Sequence, residues 1–99
     1  MPHASDAIRK ADNSGTTYLV EHYWPGITAE AFRSAVARLR STSAAMVRGG
    51  VAIRCLHSTM VPADEAAFCV FAAGSSELIE QLYHRAGITF DRIVVSLEV

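Results

Sequence analysis

Glu21 is the residue best placed to do chemistry. It stands between Val20 and His22 in a run rich in aromatic and β-branched residues, Thr17 to Trp24. Such a run reads as a strand, and a carboxylate in the middle of a buried strand is costly unless paired or hydrogen-bonded. Strand alternation puts Glu21 on one face with Leu19 and Tyr23. Arg54 and Ser58, from a second predicted strand, are expected to face the same interior. A carboxylate, a phenol, a guanidinium and a hydroxyl in apolar surroundings suit a small polar or anionic ligand. Glu21 and Arg54 equally suit an ion pair at a subunit interface.

His22 and His57 are the candidate metal ligands or proton carriers. His22 has the opposite parity from Glu21, so the two chelate one ion only if the strand bulges. His57 lies near the end of the second strand, where a lone His is more often a hydrogen-bonded surface residue. No His-x-His or Cys-x-x-Cys spacing marks a closed metal site. Cys55 and Cys69 face each other if the hairpin loop runs from Val61 to Ala63, and miss each other if it has four residues. As reduced thiols they are small core hydrophobes. Trp24 and Tyr83 read as packing residues. The sequence contains no Ser-His-Asp arrangement, phosphate-cradling glycine loop or carboxylate pair, so no catalytic residue is assigned.

The elements that must carry these residues follow in order. Residues 1–16 are polar and read as a flexible tail, leaving 17–99 as the domain. Pro25-Gly26 ends the first strand with a turn. Thr28 is a natural N-cap with Glu30 in the first turn. The helix it opens runs to Val47, with Phe32, Ala35, Val36, Leu39 and Met46 on one stripe, and Gly49-Gly50 stops it. Val51 to Met60 is the second strand and Pro62-Ala63-Asp64 a tight turn. Glu65 to Ala73, apolar on both parities, is a strand buried on both faces. Ser75 or Ser76 caps a second helix bearing Leu78, Ile79, Leu82, Tyr83 and Ala86, and Gly87 ends it. Asp91 to Val99 is the last strand. The order βαββαβ is the ferredoxin-like α+β sandwich, with the first and third strands central.

A chain of 99 residues makes one domain. A net charge of -1 leaves no surplus of cations for phosphates, which argues against nucleic acid. Met1 to Thr16 lacks an apolar signal region and no stretch reaches membrane-spanning length, so the chain reads as cytoplasmic and free of membrane. Yet 51% of it is hydrophobic, more than so small a domain buries by itself. Both helices of this fold cover one face of the sheet, and neither parity of any strand is cleanly polar. The predicted remedy is a homodimer packed sheet to sheet, a dimeric α+β barrel.

The run Tyr18-Leu19-Val20-Glu21-His22-Tyr23-Trp24-Pro25-Gly26-Ile27-Thr28 resembles a family of small, mostly actinobacterial proteins of unknown function. So do Phe68-Cys69-Val70-Phe71 before a Ser-initiated helix, and Arg85-Ala86-Gly87 followed by Asp91-Arg92-Ile93. The resemblance covers roughly residues 17 to 97 and implies ferredoxin-like dimers, one branch of which is described as nickel-binding. That branch carries two histidines where this chain has Glu21-His22, another near Arg54 and Cys55, and one near Tyr83. Only His22 matches. Imidazoles suit Ni²⁺, and Glu, Arg and Tyr in their places remove most of that donor set.

These readings converge on a small dimeric binding protein with a polar pocket in the barrel at Glu21, Tyr23, Arg54 and Ser58. No cofactor is expected from the residues themselves. The alternatives are a nickel-binding protein using His22 and His57, and a cofactor-free enzyme of the dimeric-barrel monooxygenase type, suggested by architecture alone.

Overall fold

A computed structural model describes residues 16–97 and residue 99. Nearly all of the predicted tail lies outside the described residues. The elements are β1 (Thr16–Tyr23), α1 (Ala29–Arg48), β2 (Ile53–Val61), a 3₁₀ turn (Pro62–Asp64), β3 (Ala66–Ala73), α2 (Ser76–Ala86) and β4 (Arg92–Ser96). They form the βαββαβ ferredoxin-like α+β fold, with an antiparallel sheet in the order β2-β3-β1-β4.

Local chemistry explains the boundaries. The Thr28 hydroxyl accepts the Ala31 amide at 3.1 Å and caps α1. Ser75 takes the extended N-cap position of α2. Gly87 adopts φ 70 just beyond α2, and its N–H returns to the Tyr83 and His84 carbonyls. Only glycine takes that left-handed conformation freely, and it releases the chain toward β4.

The core lies between the sheet and the helices. Val20, Cys69 and Phe71 from β1 and β3 pack with Leu39 and Met46 of α1 and Ile79, Leu82 and Tyr83 of α2. Of the predicted α1 stripe, Phe32, Ala35, Leu39 and Met46 are buried, and Val36 packs partly against the core. Three strands are shorter than their composition predicts, β3 by the single residue Glu65, which takes a left-handed conformation after the 3₁₀ turn. β2 begins at Ile53, because the Val51 amide closes the end of α1 on the Met46 carbonyl. β4 ends at Ser96, which pairs with Thr17 of β1 at the edge of the sheet.

One irregularity governs what β2 presents. Cys55 pairs with Phe71 and His57 pairs with Val70, so Leu56 is an extra residue, a β-bulge. An inserted residue flips every side chain after it to the other face. Cys55, before the bulge, and Ser58 and Met60, after it, therefore all lie on the helix side.

Candidate functional site

On the face of the sheet that no helix among the described residues covers (the uncovered face), register places four rows: Arg54, Ala72, Thr17 and Ser96; His57, Val70, Leu19 and Val94; Thr59, Phe68, Glu21 and Arg92; and Val61, Ala66 and Tyr23. Glu21 points away from the helices, as alternation predicts. Its partner is Arg92, whose Nε donates to Oε2 at 2.6 Å, with a second guanidinium nitrogen also at 2.6 Å. Arg54 is not that partner. It sits two rows away, roughly 13 Å at a strand's rise per residue. Ser58 does not share the face at all, because the bulge turns it toward the helices opposite Cys69. Tyr23 shares the face and is 63% exposed. Arg92 was missed because its pairing is set by the antiparallel β1–β4 register, which the residue types alone do not reveal.

Behind this face, His22 is nearly enclosed, at 6% exposure. Its Nδ1 lies 2.9 Å from the Ala67 carbonyl and its Nε2 2.8 Å from the Tyr83 hydroxyl. A carbonyl only accepts, so Nδ1 carries the proton. Burial pushes the His22 pKa down, against smaller raising effects from the Ala67 carbonyl and Asp91. The ring is therefore neutral, and Tyr83 donates to Nε2. Burial likewise pushes the Tyr83 phenol well above its usual range. It drives the Cys69 thiol up to about 11, with the Tyr83 hydroxyl as its hydrogen-bond neighbour. Cys55 is also raised by burial. Both cysteines are free thiols, and the hairpin loop from Pro62 to Glu65 has the four residues that offset them: Cys69 faces Ser58, not Cys55. His57 lies on the opposite face of the sheet from His22, so within one chain the two cannot share an ion.

His22 also floors a cavity of about 550 Å³ between α1 and the loop joining α2 to β4. Ala31, Ser34, Ala35 and Arg38 line it at helical spacing, so one stripe of α1 forms a wall. Trp24 and Phe90 contribute aromatic surface. The loop is fixed by Asp91, whose amide donates to the Glu21 carbonyl at 2.8 Å and whose carboxylate accepts the Tyr23 amide. Sequence reasoning missed this cavity. Its signal was two alanines, at 31 and 35, in phase with Arg38 where larger apolar residues would close the gap.

A family model described as nickel responsive protein SCO4226-like matches residues 18–95. The chain belongs to that family. A solved structure described as SCO4226 from Streptomyces coelicolor A3(2) is similar in fold, with a TM-score of 0.68 at 21% identity, covering 84% of this chain and 99% of that one. No curated protein matches.

The donor set does not fit a nickel centre within one chain of this family member. Among the described residues, no group of three His, Cys, Asp or Glu side chains converges on one point. His22 carries its proton on Nδ1 and its Nε2 lone pair accepts the Tyr83 hydroxyl, so neither ring nitrogen has a free lone pair for a cation. No helix among the described residues is long and apolar enough to cross a membrane.

Proposed function

We propose that this chain is a homodimeric small-molecule binding protein whose ligand sits in the cavity over His22. The cavity carries the reading. At about 550 Å³ it falls within the range of small-ligand pockets and joins aromatic walls to a few polar groups. The uncovered face supports a second copy as the dimer partner. Its middle rows put the half-buried Leu19, Phe68 and Val94 around the buried Val70, a surface whose burial a partner sheet would complete. Glu21 and Arg92 then form an ion pair at the seam, in the role first expected of Glu21 and Arg54. In this arrangement the ligand volume lies on the helix side of the sheet instead of between two sheets.

Ligand-observed NMR with a fragment library tests the reading. Fragments that bind the native protein are expected to lose contact in Ala31→Phe, which fills the space. Fragments indifferent to that substitution would reject the cavity as the site.

The family's name favours nickel as a second reading, with His22 the position that matches. Calorimetric titration of tag-free protein with Ni²⁺ is expected to show no tight binding. Submicromolar affinity lost in His22→Ala would establish the metal reading instead.

A further inference from the structure

The floor and the wall of the cavity make different demands on an occupant. At the floor, the His22 nitrogens are spent on the Ala67 carbonyl and the Tyr83 hydroxyl. The imidazole offers a ligand only ring carbons, so whatever lies over it is apolar. Trp24 and Phe90 extend that surface, and aromatic rings prefer offset or edge contacts with another ring. Ala31 and Ala35 leave the width for one. On the α1 wall, Arg38 supplies a positive charge. Its guanidinium has no carboxylate partner among the described residues. The one carboxylate in the lining, Asp91, is held by the Tyr23 amide.

We propose that this cavity binds a small aromatic carboxylate, with the ring over His22 between Trp24 and Phe90 and the carboxylate on the Arg38 guanidinium. The inference rests on the cavity reading above and names the chemical class it takes. A planar guanidinium meets a carboxylate through two parallel hydrogen bonds, which a neutral amide cannot reproduce.

Trp24 is the only tryptophan in the chain and lines the cavity, so its fluorescence reports occupancy. The native protein is titrated with phenylacetate and, separately, with its neutral isostere phenylacetamide. Phenylacetate is expected to change the Trp24 emission saturably, with the amide weaker by about tenfold or more, the scale of a charge-assisted contact. Arg38→Gln, at an exposed helix position, is expected to weaken the acid by a similar factor and leave the amide unchanged. Equal binding of acid and amide, or indifference of the acid to Arg38→Gln, overturns the carboxylate assignment while leaving the cavity as a site. No saturable change with either compound overturns the assignment, and the fragment screen against Ala31→Phe then decides the cavity reading separately.

Discussion

Glu21 and His22 are consecutive in the chain and opposite in circumstance. Glu21 lies on the uncovered face, in an ion pair whose other member, Arg92, is 65% exposed at its side chain. His22 lies under the helices with every polar atom matched and its charge suppressed by burial. One strand thus carries an adjustable polar group on one side and a fixed one on the other. The general lesson is that a residue's type names the chemistry it could do, while the side of the sheet decides whether it is free to do it.

Substitutions separate the two sides by size of effect. Tyr83 is 1% exposed, packs against Phe71 and Phe90 edge to face, and holds His22. Tyr83→Ala is expected to cost about 3–5 kcal/mol in chemical denaturation, as for other large buried aromatics. Tyr83→Phe keeps the ring and strands Nε2, at a cost of about 1–3 kcal/mol. A loss in Tyr83→Phe within measurement error would mean that His22 finds another partner.

Acid comes next. The folded His22 pKa lies below the unfolded value near 6.5. The unfolded chain therefore binds more protons as the pH falls through that value, so the stability His22 contributes is complete above it and is lost progressively below. Denaturation midpoints measured across this range should fall on the acid side, and the fall should flatten in His22→Gln. An identical profile in the variant would show that other groups control it. On the uncovered face the expected effect is smallest. Glu21→Gln breaks a pair whose Arg92 side chain is 65% exposed within one chain, and in protein dilute enough to be monomeric it should move stability by no more than about 1 kcal/mol. A larger loss seen only at concentrations where the dimer forms would place the pair inside the interface, and the same loss in the monomer would contradict its exposure.

Much of the fold was legible in the sequence. The cap at Thr28, the breaks at Pro25-Gly26 and Gly87 and the two-sided apolar β3 are local signals, and together they leave one element order. The parity of Glu21 and His22 was also legible, because β1 is regular. What failed was whatever depended on β2. Alternation counts residues, and the extra residue at Leu56 resets the count, so Ser58 came out on the wrong face. Arg92 and Tyr83 escaped as partners for a different reason. Each meets β1 from a distant part of the chain, and register and helix packing, not residue type, bring them there. The cavity was hidden because it is made by what is missing: small side chains at 31 and 35 read as ordinary helix formers.

The division between the two sides of the sheet is tested most directly by molar mass in solution. Light scattering behind size exclusion, at micromolar concentration, is expected to give twice the 10.7 kDa chain mass for the native protein and for Ala31→Phe. Leu19→Glu, which puts a charge in the middle row of the uncovered face, should give one chain mass with the helical content unchanged. A native protein that runs as a single chain would contradict the account, because the half-buried Leu19, Phe68 and Val94 would then meet no partner sheet.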